Sequence, residues 1–394
     1  MPLHVIFVNY RPFEDSSGIH IYFLANAMQR LGIRCTVCVP WNTASVTTFG
    51  TPLFQTINYP AAFLGSLLGS LKKKNEQVII HVWTPRENVR RLTRFLSKQL
   101  SVPYIVHLED NEEDILASHF QMPYEDVARL PGYRFIKFPL LINPRYYRKF
   151  LGHASGMTCI MESLEQFVPA NMPVLTFWPA CEQKFFSIAE EPDCAIRQKW
   201  GIADDEIVIT YTGNVHQANA GEVGNLYLAV ELLNKQGKKV RLIRTGSDFV
   251  PMSEKATRAG KLYALEMGRT PPVELIQFVR AADILVQPGK PCSFDTFRFP
   301  SKLPMYFASG RPVILPKVNI GTHMHDEVEC LHLTDGSPGD IAEKIGRLIE
   351  NKGLARRIGR AGRKFARANF CWEKTTLQVV QFYEKILEDR SGSS

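Results

Sequence analysis

The sequence predicts an α/β protein built from two Rossmann-like, doubly wound domains whose parallel sheets face a central cleft. Three observations predict it. Short runs that are apolar almost throughout alternate with stretches whose apolar residues recur at i, i+3 and i+4, the pattern of buried parallel strands each followed by a helix. That alternation occurs in two complete sets, the second beginning near residue 192. The chain has 394 residues, 45% hydrophobic and 22% charged, enough for two cores and unlike a disordered, collagenous or disulfide-stapled chain.

In the first set, strands are expected at His4–Asn9, Cys35–Val39, Val78–Trp83, Tyr104–Leu108, Gly156–Met161 and Val174–Phe177. The opening residues lack a basic segment and a small-residue cleavage site, so they read as the first strand and not as a signal peptide. The clearest helix is Ile19–Leu31, with Ile19, Phe23, Leu24, Ala27, Met28 and Leu31 on one face and Gly32 closing it. Cys35 and Cys38 are spaced C-x-x-C, but inside a strand that offset sends the two thiols to opposite faces, so buried apolar cysteines are expected rather than a zinc or redox pair. The second set has strands at Ile207–Tyr211, Val240–Arg244, Leu262–Met267, Ile284–Gln287 and Pro312–Leu315. Its helices are Gly224–Leu233, Val273–Ala281, Ser301–Ala308 and Asp340–Ile349, and an apolar-faced helix Phe370–Asp389 ends the chain. The expected domains are therefore 1–185 and 186–369, with 370–394 as a closing helix.

In open α/β sheets, ligands sit beyond the carboxyl ends of the strands. After the first strand comes Ser16-Ser17-Gly18, directly before a helix, which suits an anion or a simple helix cap. The second set offers three glycine turns: Gly213-Asn214, Arg244-Thr245-Gly246 and Gly268-Arg269. The richest stretch is Asp295-Thr-Phe-Arg298-Phe-Pro300-Ser301-Lys302-Leu303, where exposed amides and two cations would receive a diphosphate.

These features resemble the GT-B-fold glycosyltransferases of the large retaining group called family 4. The resemblance rests on the glycine loop before the first long helix, Tyr211-Thr-Gly213, Ala282-Asp283-Ile-Leu-Val-Gln-Pro288, the block Pro300-Ser-Lys-Leu…Ala-Ser-Gly310-Arg-Pro-Val-Ile314, and the closing helix from Phe370-Cys-Trp372. It implies transfer of a sugar from a nucleotide-sugar to an acceptor hydroxyl, with retention, without a metal ion or other cofactor, and in polysaccharide or glycolipid biosynthesis; the acceptor would lie in 1–185, the nucleotide-sugar in 186–369, and the helix in 370–394 would cross back onto the first domain. Donor-binding residues would be Gly18, Gly213, Asn214, Arg244, Gly246, Arg269, Asp295, Arg298, Ser301 and Lys302. His323 and His325, without a third ligand nearby, make no convincing metal site.

Three departures from the family pattern stand out. The paired glutamates, seven residues apart, are replaced by Phe297 and Met305, and losing a carboxylate that bonds the donor costs about 1.5–3 kcal/mol; Asp295 is the nearby candidate to recover the role. The histidine expected at the end of the fourth main strand is Glu109, followed by Asp110, with His107 two residues earlier. Glu109, Asp110 and His107 are accordingly the catalytic candidates, the alternative being an acidic helix start. The basic pair after Gly213 is absent, so phosphate binding would rest on Lys302, Arg298 and Arg244. His81 matches a family strand histidine of structural type.

The net charge of +8 favours anionic partners. Leu71–Lys74 and Pro144–Phe150 each join apolar residues to a basic cluster, which suits either an anionic membrane surface or an amphipathic helix on the sheet. The expectation is a cytoplasmic enzyme, with or without contact at the inner membrane face, acting on a saccharide or lipid-linked acceptor and not on nucleic acid. The competing readings are a GT-B protein that binds a nucleotide-sugar without transferring it, and a GT-B nucleotide-sugar epimerase.

Overall fold

A computed structural model of the chain describes residues 2–13, 16–65, 76–291 and 295–391. The chain divides into two compact units, one of Met1–Pro179, Phe297–Phe299 and Trp372–Ser394, the other of Ala180–Thr296 and Pro300–Cys371.

The first unit holds a parallel sheet of seven strands in the order β3-β2-β1-β4-β5-β6-β7. These are β1 (Leu3–Asn9), β2 (Arg34–Val39), β3 (Gln55–Asn58), β4 (Gln77–Trp83), β5 (Tyr104–Leu108), β6 (Gly156–Cys159) and β7 (Val174–Thr176). Val5, Ile6, Phe7 and Val8 are all fully buried, as they must be in a strand covered on both faces. The order reverses between β1 and β4, and the register brings Asn9 beside Trp83 and Trp83 beside His107. The carboxyl ends of β1, β4 and β5 therefore lie together at the switch point, where such sheets bind ligands.

The second unit holds a parallel sheet of six strands in the order β10-β9-β8-β11-β12-β13. They are β8 (Ile207–Thr212), β9 (Val240–Thr245), β10 (Ala264–Glu266), β11 (Ile284–Val286), β12 (Val313–Pro316) and β13 (Leu331–Leu333). Successive residues face opposite layers: Ile209 joins Leu226, Leu242 and Ile345 on one side, while Val208 joins Ile243 and Phe278 on the other. Arg311, 3% exposed, binds the carbonyls of Glu190, Glu191 and Arg280, and Arg363 binds those of Ile188 and Ala308, so arginines pin the segment 188–191.

Several expectations need correction. The edge strands β3 and β13 were not foreseen: Gln-Thr-Ile-Asn lacks an apolar run, and Leu-His-Leu is only three residues long. The strand expected from Leu262 starts at Ala264, because the helix Glu254–Tyr263 runs through the first two positions. The helix expected from Ser301 begins at Leu303. Leu31, assigned to an apolar helix face, is 51% exposed. The Leu71–Lys74 cluster lies outside the described residues. In the helix Pro144–Gly152, Tyr147, Phe150 and Leu151 turn inward and Arg148 pairs with Glu113, which is how an amphipathic helix on the sheet behaves. The net charge belongs largely elsewhere. The helix Lys352–Asn369 carries seven lysines and arginines and no acid, and outside it 40 cations face 39 acids.

The final helix, Trp372–Ser391, completes the core of the first unit. Trp372 stacks on Phe23 at 5.8 Å, and Tyr383, fully buried, hydrogen-bonds His81 Nδ1 at 2.6 Å. A methyl group on Gly156 would lie 2.4 Å from Ile386 Cδ1 and 3.0 Å from Phe382. Gly156→Ala is therefore expected to destabilise the protein by about 1–3 kcal/mol through overpacking. A denaturant midpoint lowered at constant slope would show it.

Candidate functional site

At the switch point of the first sheet, Ser17 and His20 stand three apart near the start of the helix Ser16–Arg30, hence on one face. That face meets Glu109, the residue after β5. Ser17 Oγ donates to Glu109 Oε2, and His20 Nδ1 lies 3.0 Å from Glu109 Oε1. The helix can approach because residue 18 is glycine: a Cβ there would be 2.8 Å from Phe13 Cα. Burial alone would push the Glu109 carboxyl up, but hydrogen bonding and charge from His20, aided by Ser17, leave it below the ordinary carboxylate range.

Asp110 faces the other way chemically. Burial pushes its carboxyl up to about 6, against the opposing pull of Arg298, whose Nε lies 3.2 Å from Asp110 Oδ1. Next to it Asn111 caps the helix Glu112–Phe120, accepting from the amides of Glu113 and Asp114. Glu112 is buried in an ion pair with Arg86, whose guanidinium sits 3.9 Å over the Tyr10 ring. The acidic stretch thus divides: Asn111 onward is a helix start, and Glu109 and Asp110 precede it. His107 is fully buried, stacked on Trp83 at 3.8 Å and bonded through Nδ1 to Thr158 Oγ1, which also bonds His81. Burial lowers its pKa well below the usual histidine value, so it stands as a neutral member of a buried layer rather than beside Glu109 as a free base.

In the second unit the three glycine turns pack on one another. Gly246, at φ +109°, donates to the Gly268 carbonyl at 2.7 Å, and a Cβ on it would lie 2.3 Å from the Gly213 carbonyl oxygen. Asn214 Oδ1 accepts from the Ser247 amide at 2.8 Å, locking the first turn to the second. Lys302 reaches this cluster. Its Nζ would be 3.2 Å from a Cβ on Gly213, lies 4.5 Å from the Tyr211 ring centre and donates to Gln287 Oε1 at 3.0 Å. Burial lowers the Lys302 ammonium to about 8, with Glu222 acting in the opposite direction.

The other donor-site candidates divide. Arg244, 4% exposed, is committed to Glu266 at 2.6 Å and Asp248 at 2.8 Å, which corrects the expectation that it is available to phosphate. Arg298 belongs to the first unit, on Asp110, and is not grouped with Lys302. Arg269 and Ser301 are exposed beside their turns. Asp295 accepts the Asn319 side chain on its backbone carbonyl at 3.2 Å. Phe297 packs on Phe167, and Met305 is 9% exposed. Cys35 and Cys38 are buried, with thiols that burial pushes up. Among the described residues no group of three His, Cys, Asp or Glu side chains is placed to hold a metal ion, and no helix is long and apolar enough to cross a membrane.

Residues 206–351, which hold the glycine turns and Lys302, match the family model described as glycosyl transferases group 1. This part of the chain is similar to the group 1 glycosyl transferases. A D-inositol 3-phosphate glycosyltransferase of Nocardia farcinica is 26% identical over 212 residues, 50% of this chain and 45% of that protein. An uncharacterized glycosyltransferase of Methanocaldococcus jannaschii is 30% identical over 121 residues, 30% of this chain and 33% of that one. The chain thus spans about half the length, or less, of these curated relatives. Among solved structures, Anabaena HepE in complex with UDP and glucose superposes with a TM-score of 0.70 at 14% identity, over 97% of this chain and 99% of that chain. Sucrose-phosphate synthase of Thermosynechococcus elongatus gives 0.69 at 16% identity, over 99% and 100%. With the two parallel sheets, these likenesses establish a GT-B fold.

Two residues at these sites had no sequence signal. His20 sits inside an apolar helix run. Glu222, in the first turn of the helix Ala220–Lys235, faces the same corner as Lys302: a Cβ on Gly289 would lie 3.6 Å from its Oε2. Only proximity reveals either one. Because Gly246 has both a left-handed backbone and a carbonyl pressed against it, Gly246→Ala should shift the two turns apart. The expected outcome is a folded protein of lower thermal midpoint, measured by differential scanning calorimetry.

Proposed function

We propose that the chain is a glycosyltransferase that moves a sugar from a nucleotide-sugar donor to an acceptor hydroxyl without a metal ion. The observation that carries this is Lys302, a partly buried cation set against the stacked Gly213 and Gly246 turns at the carboxyl ends of β8 and β9. The glycines of these turns let a diphosphate approach the backbone, and the ammonium offsets the charge that builds on the leaving diphosphate. Arg269 and Ser301, exposed alongside, are the further donor contacts, and Asn214 holds the first turn in shape. The donor class is supported by the HepE neighbour, solved with UDP-glucose. The acceptor is a saccharide or cyclitol hydroxyl, in line with the inositol-phosphate activity in the name of the Nocardia relative. Acceptor and transferred sugar would meet the Glu109 site of the first unit. Retention of anomeric configuration is the outcome the resemblance to family 4 implies.

Incubation with a panel of nucleoside diphosphates and their sugars should raise the thermal midpoint for at least one of them. No response to any would overturn the reading. Lys302→Met should weaken the responding diphosphate by about 1.5–3 kcal/mol, roughly 10- to 150-fold. The pH dependence has a definite sign. Lys302 carries its charge below about 8, so affinity should hold near neutrality and fall as pH rises past 8. Titrations on both sides of that value should show this for the parent protein, and Lys302→Met should lack the decline.

A further inference from the structure

At the amino ends of β8, β11 and β12, where Ile207, Ile284 and Pro312 stand, the second unit has a cavity of about 350 Å³. Every residue lining it belongs to that unit. The glycine turns lie at the other end of the same sheet. Ile207 opens β8 and Gly213 follows its last residue, so the cavity is roughly 20 Å from the turns at about 3.3 Å per residue. None of Gly213, Gly246, Gly268 or Lys302 lines it.

Arg311 sets the chemistry of this cavity. Its guanidinium, on a residue 3% exposed, donates to the carbonyls of Glu190, Glu191 and Arg280, while its Nε–H has no acceptor. The carboxylates around it are committed to other cations: Asp283 to Arg197 at 2.6 Å, Glu190 to Arg360 at 2.8 Å, Glu191 to Arg356 at 3.2 Å and Glu206 to Arg241 at 2.8 Å. A buried cation met only by neutral carbonyls is costly, and burial pushes this guanidinium down to about 10, with Asp283 acting in the opposite direction. An anion in the cavity would supply the charge that is missing. The helix Lys352–Asn369 begins at the same place, and Lys352 and Arg356 line the cavity from its first turn and a half. The positive end of that helix dipole adds to their field.

The rest of the lining is of two kinds. Ile207, Ile284, Leu348 and Ile349 are apolar, and Asp204 and Glu206 offer carboxylate oxygens. Such a surface takes a body with C–H faces and hydroxyl donors. The volume, at the small end of the range for ligand sites, suits a monosaccharide and not a whole nucleotide-sugar.

We propose that this cavity is a second ligand site, for the phosphate monoester of a small sugar or polyol. The phosphate pairs with Arg311, Lys352 and Arg356, and the hydroxyls donate to Asp204 and Glu206. Glu191, its side chain 75% exposed, has room to leave Arg356 to the phosphate. The site does not depend on the donor assignment above.

The test is titration calorimetry of the full chain with glucose 6-phosphate, glycerol 3-phosphate, inorganic phosphate and free glucose. At least one of the two esters should bind one to one, and more tightly than inorganic phosphate or glucose. Replacing Lys352 and Arg356 together by alanine, on an exposed helix face that leaves Arg311 in place, should weaken that ester about tenfold or more. Arg311→Lys, which keeps a cation but not the fork, should weaken it too, and the double variant decides the matter if Arg311→Lys does not fold. Asp204→Asn should weaken the ester while leaving inorganic phosphate unchanged or tighter, since it removes an acceptor for hydroxyls and a charge that repels phosphate. Lys302→Met should bind the ester as the parent does. The proposal is overturned if neither ester binds up to about 10 mM, or if the folded double variant stays within about twofold of the parent. It is equally overturned if inorganic phosphate binds as tightly as both esters, or if Lys302→Met loses the ester. None of these results touches the glycosyltransferase reading, which fails separately if no nucleoside diphosphate or nucleotide-sugar binds.

Discussion

A carboxylate removed from water at the end of a parallel strand must find donors or lose its charge, and at Glu109 the donors come from a different element. Ser17 and His20 both belong to the first long helix, and their spacing of three residues brings them to one oxygen each. Everything else at that edge follows from this match. Gly18 has to lack a side chain so that the helix can come close to Phe13, and the order reversal between β1 and β4 brings the helix start and the end of β5 within reach. The acids that follow are sorted by their own surroundings. Glu112 is neutralised by Arg86, Asp110 is left poised near neutrality, and only Glu109 holds an imidazole.

The second unit solves a different problem with backbone instead of side chains. Three turns at the ends of consecutive strands are packed so tightly that the Gly213 carbonyl occupies the place of a Cβ on Gly246. Glycines leave the backbone of that surface open, and Lys302 stands over it against the Tyr211 ring. An ammonium kept partly out of water in this way is a strong partner for a phosphate and a weak one for solvent, which is why its own proton is loosely held. Glu222 moderates that tendency from the neighbouring helix.

Much of this was legible in the residues. Apolar runs marked eleven of the strands, since parallel strands have no polar face to obscure them, and the glycine turns and the Pro300 block declared themselves by composition. What stayed hidden has a common cause. The edge strand β3 has no apolar pattern to read. Arg244 and Arg298 looked like free cations because their carboxylate partners Glu266, Asp248 and Asp110 are fixed by the fold and not by spacing. His20 was hidden by its setting, an imidazole among isoleucines being indistinguishable in sequence from a packed core residue. Conversely His107, which spacing placed on the strand face that ends in Glu109, proved to be held by Thr158 in the interior.

The last long helix also decides when the first sheet can become native. Trp372, Tyr383 and Ile386 close over Phe23, His81 and Gly156, residues translated more than two hundred positions earlier. Until the ribosome has passed them, the helix layer beside Phe23 is incomplete and the His81 imidazole lacks its phenol. The carboxyl-terminal unit, whose residues run from Ala180 to Cys371 save for three, has all of its strands before that point. Synthesis runs from the amino end, yet the first sheet receives part of its packing only from the last residues made.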